Sequence, residues 1–105
     1  MAAVYSVTFV DAPGLAGTAF YVIPAGQIII VRDIDVYYVT GLAGADCQVQ
    51  FQGGAVFSFA SFGPGDPPSV KSWRGRQVSG ALPGLQVTTS GALDVRISGY
   101  VLTAP

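Results

Sequence analysis

Asp33 and Asp35 stand two residues apart in an apolar run, a spacing that puts both carboxylates on one side of an extended chain. Such a pair can share a divalent cation or divide acid and base roles. The rest of the sequence supports neither use. It holds no His and no Glu, so the commonest general base and the commonest zinc ligand are both missing. Two carboxylates without further oxygen ligands make a weak calcium site. Arg32 lies adjacent and Arg96 is available from another strand, so the pair reads as an ion-paired, solvated strand face. Asp94 and Arg96 repeat the spacing and the reading. Cys47 has no base to activate it and alternates with Val49 and Phe51, which makes it a small buried apolar residue. The Gly-rich stretches lack a following helix or a Lys-Ser/Thr pair, so no phosphate cradle is expected. These residues predict a non-enzyme with no metal and no cofactor.

The aromatic residues are the other candidates. Tyr21, Tyr37, Tyr38, Trp73 and Tyr100 would suit a sugar-stacking platform, or would fill a core or an interface at low entropy cost. Tyr37 and Tyr38 are consecutive, so on a strand they face opposite ways and one leaves the core. Trp73-Arg74-Gly75-Arg76 sets an aromatic anchor beside two guanidinium groups. Tyr37, Tyr38, Trp73, Arg74 and Arg76 are the candidate interface residues.

The elements that must position them are short strands. Val4–Val10 alternates, and Asp11-Ala-Pro-Gly14 is expected to end it. Thr18–Ile23 follows, then a tight turn at Pro24-Ala25-Gly26. In the long Ile- and Val-rich run Gln27–Thr40 the alternation fails at Arg32–Asp33, which predicts a bulge or sheet-switching bend there. Asp46–Gln52 alternates, Gly53-Gly54 reads as a two-residue hairpin, and Ala55–Phe62 returns with Phe57 and Phe59 inward. Ser69–Val78 carries Trp73. Leu85–Thr89 and Ala92–Thr103 are expected to form a final hairpin around Ser90-Gly91, with Leu93, Val95, Ile97 and Val101 on one face. About eight strands without helices predict one all-β domain over residues 1–105: an antiparallel, jelly-roll-like β-sandwich, or else a small closed barrel.

Composition limits the partners. Half of the 105 residues are hydrophobic and only 10% are charged, against about a quarter in ordinary soluble domains. A small monomer needs more polar cover than this, so part of the surface is expected to be hidden in an assembly. A formal charge of −1 with scattered cations supplies no field for nucleic acid. No apolar run is long enough for a membrane helix. The opening residues lack the pattern of a secretory signal, and the single cysteine forms no intrachain disulfide, so assembly in a reducing cytoplasm is expected. With only Lys71 to guard sheet edges, self-association is expected too.

Three segments also carry a resemblance. Pro24-Ala-Gly-Gln-Ile-Ile-Ile-Val-Arg-Asp-Ile-Asp-Val-Tyr37, Trp73-Arg-Gly-Arg-Gln-Val78 and Asp94-Val-Arg-Ile-Ser-Gly-Tyr-Val-Leu-Thr103 resemble small proteins encoded in the structural-gene blocks of tailed bacteriophages of actinobacteria. The resemblance implies a virion component assembled in the host bacterial cytoplasm: a capsid decoration or minor capsid protein, or else a minor tail protein. Its expected partners are the major capsid or tail protein and further copies of itself, as a trimer if it caps shell positions of threefold symmetry. These segments are structural patterns, so no binding residues follow from them.

Overall fold

The computed structural model describes residues 3–38 and 44–103. Eight strands account for most of them: β1 (Ala3–Leu15), β2 (Thr18–Val22), β3 (Gln27–Tyr38), β4 (Ala45–Phe51), β5 (Val56–Phe62), β6 (Ser69–Val78), β7 (Gly84–Thr89) and β8 (Leu93–Thr103). No helix occurs among the described residues. Val39 and Thr40, the end of the expected third strand, lie outside them. The strands form two four-stranded antiparallel sheets, a front sheet in the order β1-β8-β3-β6 and a back sheet in the order β2-β7-β4-β5. That alternation of strands between two sheets is the double Greek-key order of a jelly roll. The sheets are not closed into a barrel.

The core lies between the sheets and follows the two-residue period of each strand. Cys47, Val49 and Phe51 of β4, Leu85 and Val87 of β7, and Leu93, Val95, Ile97 and Val101 of β8 are all buried. In β3 the inward set changes phase: Ile29 and Val31 are buried, then Ile34, Val36 and Tyr38. The register shift between Val31 and Asp33 makes the change, against both β8 and β6. It is the bulge expected at Arg32–Asp33, and it keeps both halves of a long strand on one core. The Pro24 turn also forms, with the Gln27 amide donating to the Pro24 carbonyl and Gly26 at φ +83°.

Four local expectations need correction. β1 does not end at Asp11 but continues to Leu15, with irregular register between Ala12 and Leu15. Pro13 is tolerated because β1 is an edge strand, where a missing ladder donor costs nothing. The Gly53-Gly54 hairpin is instead a turn centred on Gln52-Gly53, closed by the Gly54 amide on the Phe51 carbonyl at 2.8 Å. Phe59 points outward, because an extra residue, Phe57, sits between the partners of Val49 and Gln50 and reverses the alternation. β7 and β8 are not a hairpin: Ser90-Gly91 carries the chain from one sheet to the other. Two hydroxyls take over where ladders stop, the first within the front sheet and the second between the two sheets. Ser79 Oγ accepts from the buried Ile29 amide, and Thr89 Oγ1 donates to the Leu15 carbonyl at 2.6 Å.

Candidate interaction surface

The structure separates the five candidate interface residues. Tyr37 and Tyr38 do face opposite ways. Tyr37 is exposed on the outer face of the front sheet, whereas Tyr38 is buried and stacks on Phe62 at 5.0 Å, its hydroxyl accepting from the Gly44 amide. Tyr38 is therefore a core residue, the correction following from the β3 bulge that turned it inward. Trp73 also points in. It lies half-buried in the mouth between the edge strands β5 and β6, its ring 5.6 Å from Phe57. Arg74 and Arg76 are exposed on the outer face.

Arg74 answers the question of what balances the two aspartates. β6 runs beside β3, with Asp33 opposite Arg74 and Asp35 opposite Ser72. Arg74 Nε lies 3.3 Å from Asp33 and Nη2 lies 2.9 Å from Asp35, while the Ser72 hydroxyl donates to Asp35 at 2.6 Å. The partner is thus Arg74 and not the adjacent Arg32, which lies over the Tyr100 ring. Partial burial pushes the Asp35 pKa up, but Ser72, Arg74 and the more distant Arg96 together outweigh it and hold the carboxyl below its ordinary value. Asp94 serves the fold, accepting from the Gly14 amide at 2.7 Å. Among the described residues no group of three metal-ligating side chains forms. Cys47 is buried as expected, and burial pushes its thiol up to about 11.

The aromatic platform does not assemble from the residues weighed for it. Tyr21 tilts against Phe9 at 5.0 Å, Tyr38 and Trp73 face the interior, and Tyr37 and Tyr100 sit at opposite ends of the front sheet. A shallow depression of about 340 Å³ beside Tyr37 is lined by Asp11, Asp94 and Arg96, with charge of both signs.

The two outer faces differ sharply in charge. On the front sheet, Asp11, Arg96, Asp35 and Ser72 form one lateral row, and Ser98, Asp33 and Arg74 the next. The back sheet has only Asp46 among its strand residues as a charge. Across its middle run Thr18, Thr88, Gln48 and Phe59, then Phe20, Gln86, Gln50 and Val56. Amides and hydroxyls floor the centre, and large apolar groups stand at both margins. Phe20 is 55% exposed and Val22 74% on one side, with Phe59 58% and Val56 44% on the other. Depletion of charge with retention of aromatics is the compositional mark of an interface centre. Sequence reasoning missed this face because it set Phe59 inward and assigned Phe20 no role.

No family model and no curated protein matches the chain. Among solved structures it is similar to a chain in the structure of infectious bursal disease virus Gx strain, with a TM-score of 0.44 and 13% identity. The match covers 97% of this chain and 32% of that one, so the present chain spans about a third of the length of its neighbour.

Proposed function

We propose that this chain is a non-catalytic structural virion protein, a capsid decoration or minor capsid protein that packs on other particle subunits through the outer face of its back sheet. The observation that carries the reading is the partition of charge. One sheet face keeps the polar cover of a soluble domain, and the other offers Gln, Thr and exposed Phe and Val with a single carboxylate at its end. Covering the four exposed apolar side chains would remove roughly 400 Å² from water, worth on the order of 10 kcal/mol before the costs of association. The low charge content of the whole chain and its resemblance to phage structural proteins support the same role. Minor tail protein is the companion reading, and location alone separates the two.

The test is to add purified protein to particles that lack it and locate it by cryo-microscopy. The expected result is stoichiometric density on the shell with the back sheet in contact. Val22→Lys with Phe20→Lys should abolish attachment while leaving the fold intact. Density on the tail would favour the companion reading. A protein that binds no particle at tens of micromolar overturns the proposal.

A further inference from the structure

Each sheet has two edges, and three of the four edge strands carry charge or Pro, or are too short, to pair readily with another chain. β1 has Pro13, Asp11 and two shifts of register. β2 is five residues long. β6 carries Lys71, Arg74 and Arg76 and an irregular register. Short length, proline, bulges and charge are the usual means of blunting an edge. β5 is different. Its seven residues, Val-Phe-Ser-Phe-Ala-Ser-Phe, include no charge, no Pro and no Gly, and β5 is the last strand of the back sheet. Such a segment has the composition that pairs most readily with another strand.

One contact fixes which way this edge faces, and it also caps one of its outward acceptors. The Ser61 carbonyl, directed away from β4, accepts Lys71 Nζ at 2.6 Å. In an antiparallel ladder alternate residues send their N–H and C=O to the same side, so Phe59 shares the outward direction of Ser61. Among the described residues no further strand lies beyond Phe59.

We infer that β5 is a self-association edge, at which two copies join antiparallel about a twofold axis centred on Phe59 and fuse their back sheets into one continuous sheet. The occupant is a second copy because the strand complements itself. With Phe59 facing its own equivalent, the small residues Ser58 and Ala60 oppose each other on both sides of the centre. Phe59, more than half exposed in the single chain, gains a cross-strand aromatic partner on the outer face. The register supplies about four backbone hydrogen bonds, two from the central pair. It brings no like charges together. The two Ser61 positions, where each Lys71 is anchored, fall four residues apart along the strands, roughly 14 Å, which is beyond the screening length at physiological salt. The contact is isologous and therefore closes as a dimer. It also sets two back-sheet faces, each with Asp46 as its one charge, side by side in one plane.

Sedimentation equilibrium over about 1–100 µM measures the association directly. The wild-type chain should pass from monomer to dimer mass across that range, and Phe59→Lys should weaken dimerisation at least tenfold, on the order of 1.4 kcal/mol. Position 59 is on the surface, so circular dichroism and melting of this variant should match wild type. Register is tested by mild oxidation of single-cysteine variants. Phe59→Cys should link to its own equivalent, because Cα atoms directly opposed lie within disulfide reach. Ser61→Cys, four residues out of register with itself, should not, and the buried Cys47 supplies no competing link. A wild-type monomer throughout the range, an unweakened Phe59→Lys dimer, or equal linking at positions 59 and 61 overturns the inference. Particle attachment is a separate readout. A dimer that attaches to no particle would remove the virion role alone, and a monomer that attaches would remove the dimer alone.

Discussion

Gly99 faces the core at the bulge of β3, and replacing it with alanine should be among the most damaging small changes available to this fold. It lies opposite Val31 on β3 and Val7 on β1, so both flanks of its strand are already paired. A Cβ built there runs into the Ile30 carbonyl oxygen, with the Ile30 carbonyl carbon at 2.9 Å and the Arg32 nitrogen at 3.1 Å. Every one of those atoms is backbone in a central strand. The bulge that turns Ile34 and Val36 inward is what brings this carbonyl so close. Inserting a methyl group into a packed core costs about 1–3 kcal/mol when neighbouring side chains can adjust. Here none of the colliding atoms is side chain, so a loss of about 3 kcal/mol is expected for Gly99→Ala, which in a domain of this size lowers Tm by about 15 °C. Gly75→Ala is the matched comparison. Its Cβ would meet Trp73 ring carbons at 2.8 and 2.9 Å, but that ring is half-buried and can tilt, so about 1 kcal/mol is expected. Urea titration of both variants against wild type supplies the numbers. A Gly99→Ala protein within about 1 kcal/mol of wild type, or one no worse than Gly75→Ala, would refute the account of a rigid bulge.

Three more outcomes are expected. Trp73→Ala removes the ring that closes the mouth between β5 and β6 against Phe57, and should cost about 2–3 kcal/mol, less than full burial would, by calorimetry; unchanged stability would place the ring outside the packing of the fold. The Asp35 carboxyl is held below its ordinary value, so its contribution is complete above the unfolded carboxylate pKa, near 4, and is lost as pH falls through the lower folded value. Asp35→Asn should therefore flatten the acid end of a stability-against-pH curve, and parallel curves for the two proteins would argue against the Ser72 and Arg74 contacts. Cys47, buried and with its thiol raised to about 11, should resist alkylation at pH 8 in the folded chain and react at the rate of unfolding; rapid labelling of native protein would contradict its burial.

The strand plan was readable because this sequence changes hydrophobicity with a two-residue period and punctuates its strands with Gly and Pro. Even the β3 bulge was visible, since a broken alternation in a long apolar run has few other remedies. The bulge at Phe57 was not. Phe57 and Phe59 are both aromatic, so alternation looked intact on either face, and only the pairing of Ser58 with Val49 shows which ring leaves the core. Two errors concern what lies far away in sequence. Ser90-Gly91 has the same composition whether it reverses a strand within one sheet or carries it across the sandwich. Likewise, Arg32 was the nearest cation to Asp33 along the chain, but β6 brings Arg74 directly opposite. Of the candidate interface residues, Tyr38 was lost to the core for a related reason: consecutive tyrosines must diverge, but the phase set by the bulge decides which one turns in.

The pairing of β1 with β8 sets Ala3 opposite Thr103, and among the described residues β8 alone links β1 to β3 in the front sheet. β3 and β6 can pair earlier, but β1 cannot join the front sheet until β8 exists. At a synthesis rate of about 5–20 residues per second, β1 waits on the order of 5–20 s for its partner as the chain leaves the ribosome. Loop closure on this scale also makes refolding slow, in the millisecond-to-second range of non-local β-proteins. During that wait Ile29, Val31, Ile34 and Val36 have no sheet neighbour on the β8 side. Yield in the cell should thus depend on chaperone supply and growth temperature more steeply than the stability of the finished domain would suggest.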